Sequence, residues 1–254
     1  MFTLGAQLYT VRHKTQTLPD FSETLARVAS MGYTTVQVSG TCPFPAEWLA
    51  AELKKNGLVC AITHTSPDRI VKETETVIRE HEVFGCDYIG LGGTPGGIDT
   101  EGGYARLCSI VDAAGRSIAA AGKKLMYHNH DHEFARETKN GKPYLLRLAD
   151  DYGGDILGFT LDTYWVQAGG ATVTSVIRAL SGRLDCVHLK DMTFDHGMKM
   201  APIGSGNMDF EPILSELEKA GTKFALVEQD DCYDDDPFDC LKQSYAYLSS
   251  LGLK

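Results

Sequence analysis

Residues 105–134 read ARLCSIVDAAGRSIAAAGKKLMYHNHDHEF. Apolar residues return at three- and four-residue steps (Leu107, Ile110, Val111, Ala114, Ile118), which places them on one face of a helix. Gly122 stands where a helix C-cap is expected, and KLMYH from Lys124 reads as a short buried strand. The continuation is polar. His128, His130 and His132 occupy alternate positions beside Asp131 and Glu133, so three of the chain's eight histidines fall within five residues.

Helix, glycine, strand and polar loop form one unit, and the unit recurs. Further strands are expected at TLGAQLY from Thr3, TTVQV from Thr34, LVCAIT from Leu58 and YIGLG from Tyr88. LGFTLD from Leu157, DCVHLK from Asp185 and FALVEQ from Phe224 complete the series. Nearly continuous apolar runs alternating with amphipathic helices indicate a parallel sheet buried on both faces. Eight of them in 254 residues, with no Pro- or Ser-rich linker, predict one α/β domain over residues 1–254, a closed (β/α)8 TIM barrel. An open doubly wound sheet is the rival, but no GxGxxG follows the first strand and no phosphate-binding GxxxxGK[ST] occurs. The glycine-rich GGTPGG at residues 92–97 opens no helix at the required spacing and reads as a loop.

A net charge of −10 argues against nucleic acid or an anionic membrane as partner. No apolar run is long enough to span a bilayer, and the first residues lack the pattern of a signal peptide. The seven cysteines form no CxxC pair and several lie in apolar runs, so a cytoplasmic location without structural zinc is expected. The acidic DDCYDDDPFD at 230–239 lacks calcium-loop spacing and reads as the solvated loop after the eighth strand.

Barrel strands should end in apolar residues unless that end faces chemistry, because unpaired buried polar groups are costly. Here the ends bring Gln7 with Tyr9 and Arg12, then Gln37, His64, His128, Asp162, His188 with Lys190, and Glu228. Each has a plain structural explanation taken singly: Asp162 as a helix N-cap, His188 as a satisfied core histidine, Glu228 as a surface carboxylate. Their coincidence at one end of the barrel shifts the reading. Carboxylates gathered from different strands need a compensating cation. A divalent ion held by oxygens and one or two imidazoles meets that need, with Mn²⁺ first and Co²⁺, Mg²⁺ or Zn²⁺ as alternatives. Lys190 shares a strand face with His188, and it serves either a developing oxyanion or a plain ion pair with Asp162 or Asp191.

With these residues in view, the chain resembles the xylose-isomerase-like TIM-barrel superfamily, in its sugar phosphate isomerase/epimerase group. The likeness runs through GAQLYTVR, GYTTVQV, YHNHDHEF, LDTYWVQAGG, VHLKDM, PIGSGNMDF and LVEQD in that order. It implies a metal-dependent sugar, sugar phosphate or polyol isomerase or epimerase that abstracts a proton next to a carbonyl, through an enediolate. The family's ligand set of Glu, Asp, His and Glu carries over to Asp162, His188 and Glu228. The fourth position departs: many members read Glu-Asn-His where this chain has His128-Asn129-His130. Either His128 takes the glutamate's place, or Glu133 reaches back from the loop and His128 is freed for proton transfer. The preference of a hard cation for carboxylate makes Glu133 the expected ligand, with His128, Glu228 and Lys190 as catalytic groups. Gln7, Tyr9, Arg12, Gln37, His64, His130 and Trp165 are then expected to face a small sugar or polyol.

A histidine in place of one glutamate of the family's acid/base pair also admits a lyase or dehydratase acting on a keto-inositol or a 3-keto-glycoside. A phosphodiesterase of the apurinic-endonuclease type and a non-catalytic sugar-binding barrel complete the alternatives. Barrels of this kind often pair, and Phe44, Trp48 and Tyr245 serve a homodimer if exposed, although core packing accounts for them equally well.

Overall fold

In the computed structural model, which describes residues 2–253, all eight expected strands are present. They are β1 (Thr3–Gln7), β2 (Thr35–Val38), β3 (Val59–His64), β4 (Tyr88–Leu91), β5 (Lys124–His128), β6 (Leu157–Asp162) and β7 (Cys186–Leu189), with a last strand at Phe224–Val227. Between β7 and that last strand lies a hairpin of β8 (Asp191–Phe194) and β9 (Met198–Ala201), so the last strand is β10. The barrel closes in parallel in the order β1-β10-β7-β6-β5-β4-β3-β2.

The opening stretch behaves as its pattern dictates. Helix Gly103–Ala120 buries Leu107, Ile110, Val111, Ala114 and Ile118, each such aliphatic side chain contributing roughly 1–3 kcal/mol of burial energy. Gly122 turns the chain with φ of 73°, a conformation open to glycine at little cost, and β5 begins at Lys124.

Ala61, Ile62, Tyr88, Met126, Cys186 and Leu226 form a cluster separate from the main core. They come from strands on opposite sides of the barrel and fill its interior, with the Cys186 Sγ 4.0 Å from the Ala61 carbonyl across it. Room for the large members depends on glycine: a Cβ on Gly158 would stand 2.4 Å from the Met126 sulfur. At the amino-terminal end, the Asp185 carboxylate accepts hydrogen bonds from Lys124 Nζ (2.7 Å) and Tyr88 OH (3.1 Å) and pairs with Lys223 Nζ at 3.0 Å. Because side chains alternate along a strand, the positions two beyond Met126, Cys186 and Leu226 point inward at the other end. They are His128, His188 and Glu228.

The aromatic residues considered as dimer anchors are half-buried and pack against the core. Trp48 lies 5.2 Å from the Phe21 ring with Phe44 beside it, and Tyr245 lies 4.9 Å from Tyr33. All seven cysteines are free, and among the described residues no helix is long and apolar enough to cross a membrane.

Candidate metal centre

Asp162 ends β6 and His188 lies directly across from it on β7. His128 ends β5, and Glu228 follows β10. One ligand atom from each of these four buried residues lies within 4.8 Å of the others. The closest approaches are His188 Nδ1 to Glu228 Oε2 (2.9 Å), His128 Nε2 to Asp162 Oδ2 (3.4 Å) and His188 Nδ1 to Asp162 Oδ2 (3.7 Å).

Local structure aims each group. The Asp162 Oδ1 accepts the Trp165 N–H at 3.0 Å and caps helix Thr163–Ala168, which leaves Oδ2 for the cluster. The plain N-cap reading and the functional one therefore describe two oxygens of the same carboxylate. Gln37 Oε1 accepts a hydrogen bond from His188 Nε2–H at 2.7 Å, which turns Nδ1 toward Asp162 and Glu228. Thr163 Oγ1 accepts the Lys190 N–H (2.9 Å) and donates to its carbonyl (2.8 Å), locking the ends of β6 and β7 together.

Glu133 does not join the four. It sits on the short turn His132–Phe134 with its carboxylate folded back under the loop. There it accepts hydrogen bonds from Tyr127 OH (2.5 Å) and the His130 N–H (2.7 Å). The alternation of β5 explains this: Tyr127 points away from the barrel axis, and Glu133 follows it into the layer outside the sheet. The structure thus gives His128, not Glu133, the place beside Asp162, His188 and Glu228. Glu133 does lie near ring nitrogens of His130 and His132. Those rings are stacked, 5.4 Å apart and 10° from parallel, so their in-plane lone pairs do not converge.

Lys190 is buried among carboxylates, 2.9 Å from Asp162 Oδ2, 2.9 Å from Glu228 Oε2 and 3.0 Å from Asp230 Oδ2. The expected pairing with Asp162 is present, and the Asp191 carboxylate turns elsewhere. Asp230 was not singled out from the sequence. Its signal was there, two positions after Glu228 and so on the same face, but the acidic run that it opens disguised it as surface loop.

The charges do not balance within this set. Three carboxylates face one ammonium, leaving two negative charges once His188 is neutral, as metal ligation requires. Burial disfavours ionising Asp162 and Glu228, yet the Lys190 ammonium, together with His128 and His188, outweighs it and holds both well below the usual carboxylate range. Burial likewise opposes a charge on His188, but Glu228 and Asp162 overcome it and push the imidazole up to about 9. Asp230 moves the other way, raised to about 6 by burial and then by the charge of Glu228. Burial, with His128 next, lowers His130 to about 3, and the same two causes lower His64.

A divalent cation fits this donor set. It would cancel the surplus of negative charge, and donor atoms from four neighbouring strand ends already converge on one place. The four residues could hold such an ion with two nitrogen and two oxygen donors.

The other expected residues surround the centre unequally. Tyr9, Arg12, His64 and His130 line a cavity of about 280 Å³ together with His128, Glu228 and Asp230. Trp165 flanks it, 5.5 Å from the His130 ring and 5.6 Å from Lys190 Nζ. Gln7 and Gln37 are fully buried below: Gln7 Oε1 accepts the Tyr9 N–H at 3.2 Å, and Gln37 serves His188. Neither glutamine lines the cavity, so their place is to orient other groups.

A closed eight-stranded parallel barrel with carboxylates and imidazoles gathered at its strand carboxyl ends defines an α/β-barrel protein with a metal-type centre. The chain belongs to the xylose isomerase-like TIM barrel family, whose model matches residues 25–250. Among solved structures it is similar to a sugar phosphate isomerase/epimerase from Parabacteroides distasonis, 21% identical, with 98% of this chain and 94% of that one covered and a TM-score of 0.83. It is also similar to an L-ribulose 3-epimerase (18% identical, 100% and 95% covered, TM-score 0.75). A probable 3-DHS dehydratase from Bacillus anthracis superposes comparably (15% identical, 98% and 99% covered, TM-score 0.74). At these identities the likeness is one of fold. No curated protein matches the sequence.

Proposed function

We propose that the protein is a divalent-metal-dependent isomerase or epimerase of a sugar or polyol, acting by proton transfer at a carbon next to a carbonyl. The observation that carries this reading is the buried His128–Asp162–His188–Glu228 cluster, with its surplus negative charge, opening onto a small polar cavity. In this reading His128 replaces Glu133 as the fourth ligand. A set of two imidazoles and two carboxylates suits Mn²⁺ first, with Co²⁺ and Zn²⁺ close and Mg²⁺ less apt. The bound ion would polarise a carbonyl and neighbouring hydroxyl.

The chain's own groups supply the rest. Asp230 lines the cavity with its carboxyl near 6, so it is mostly ionised at neutral pH yet basic enough to take a proton. His130, kept neutral, faces the same cavity from the loop after β5 and offers a base on a second side. The Lys190 ammonium, buried and held by Asp162, Glu228 and Asp230, keeps Asp162 and Glu228 ionised toward the ion. Tyr9 provides a flat wall for a ring, and Trp165 backs the His130 imidazole.

Incubation in D₂O with a panel of ketoses tests the reading: deuterium should enter the carbon next to the carbonyl, and a chelator should abolish exchange until Mn²⁺ is restored. Asp230→Asn should lower kcat roughly 10²- to 10⁴-fold with metal content unchanged. Purified protein that neither carries nor responds to any divalent ion would sink the proposal.

One observation favours a second reading, elimination of water or an alcohol. The centre has His128 where a pair of opposed glutamates would need a carboxylate, and a carboxyl near 6 can also protonate a leaving group. Product mass separates the two, since isomerisation conserves it.

A further inference from the structure

The cavity beside the centre is not closed. Ser39, His64, Gly92 and His130 belong also to a second lobe of about 640 Å³, built by the loops after β2, β3 and β4 and by His132. The inner lobe, at about 280 Å³, lies at the small end of ligand sites and suits a single sugar ring. The outer lobe is more than twice as large and leads directly off it.

Its chemistry differs from that of the centre. Among the described residues no lysine, arginine, aspartate or glutamate lines the outer lobe. The walls are hydroxyls (Ser39, Thr65, Ser66, Thr94), two prolines, glycine backbone, the His64 ring and the stacked imidazoles of His130 and His132. A Cβ on Gly93 would come 3.2 Å from the His130 ring, so glycine there keeps the passage between loop and ring open. Hydroxyls and flat rings suit an uncharged polyhydroxylated ring, whereas a phosphate calls for guanidinium or ammonium partners. The nearby cations lie elsewhere. Arg12 belongs to the inner lobe, Lys190 is held by three carboxylates, Arg69 is paired with Glu73 and Glu80, and Arg106, behind the β4 loop, donates to Pro95 O, Glu101 O and Thr100 Oγ1.

We infer that the substrate carries an uncharged second ring, a glycosyl or aglycone unit, which the outer lobe receives while the reacting sugar sits at the centre. The inference rests on the proposed carbohydrate chemistry and narrows it from sugar phosphates to neutral glycosides.

Calorimetric titration of the Mn²⁺-loaded protein tests it with fructose, fructose 6-phosphate and three keto-disaccharides: isomaltulose, turanose and lactulose. Isomaltulose and fructose 6-phosphate extend the same fructose oxygen, one with a neutral ring and one with a phosphate. The best disaccharide should bind at least about tenfold tighter than fructose, and fructose 6-phosphate no tighter than fructose. Thr65→Trp, which fills the outer lobe, should bring the disaccharide-to-fructose ratio to about one. Pro95→Trp does the same from the opposite wall if the first variant folds poorly. Disaccharides no tighter than fructose, a preference for the phosphate ester, or a ratio untouched by both variants would each overturn the inference. Absence of binding by all five ligands would instead remove the carbohydrate reading beneath it.

Discussion

Alternation along β5 decides what each residue of YHNHDHEF does. His128 and His130 face the cavity, while Tyr127 and Glu133 meet behind the sheet at 2.5 Å. Replacing His128 by Gln should therefore strip metal from the purified protein. Glu133→Gln should keep the metal and cost roughly 1–3 kcal/mol of stability, because a buried acceptor and its donors are mismatched. Metal analysis beside denaturant unfolding checks both, and loss of metal in the Glu133 variant alone would restore the reading that favoured it. A second expectation concerns pH. His188 is raised from 6.5 to about 9 in the folded, metal-free protein, so its contribution to stability is complete below pH 6.5 and is lost as pH rises through 9. The ion must displace that proton, so apparent metal affinity should climb over the same window and level off above it. Titration in buffers of different ionisation enthalpy should show proton release at pH 7.5 and little at pH 10. The sequence made Asp162, His188 and Glu228 legible because they end separate strands. It favoured Glu133 over His128 for the fourth place in the cluster, which the geometry gives to His128, since spacing alone cannot say which way a loop carboxylate turns.

Among the elements, the hairpin β8–β9 was not revealed by the sequence. DMTFDHGMKMA lacks the long apolar run of a barrel strand, and its residues Phe194 and Met198 are 72% and 57% exposed. What fixes it is Asp191, immediately after Lys190. Its buried carboxylate accepts the N–H groups of Met192, Gly204, Gly206 and Met208 at 2.7–3.2 Å. VHLKD and PIGSGNMDF, two motifs ten residues apart, are thus halves of one device. Lys190 turns into the centre and Asp191 gathers the loop that returns to helix Phe210–Lys219. Asp191→Ala should cost at least about 3 kcal/mol, with several backbone donors left unpaired. Gly206→Ala should cost about 1–3 kcal/mol by overpacking, since its Cβ would stand 2.4 Å from Asp191 Oδ1. Thermal unfolding of both variants measures this, and an unperturbed melt for Asp191→Ala would refute the role given to its carboxylate.

At the scale of the whole molecule, the eight-strand rhythm was enough to place every barrel strand, because burial on both faces leaves little freedom in composition. The cleft was not legible, since its volume arises from loops that meet only after the barrel closes. The molecule also separates its tasks around the ring of strands. The groups proposed to hold the ion or carry its chemistry come from β5, β6, β7 and β10 or the loops that follow them, four neighbours in the closed sheet. The outer lobe comes mainly from the loops after β2, β3 and β4 on the remaining side. Descendants of this chain can therefore exchange one half of the rim while inheriting the other intact. Selection or a designer working on those three loops would change what the protein accepts without reopening the question of how it reacts.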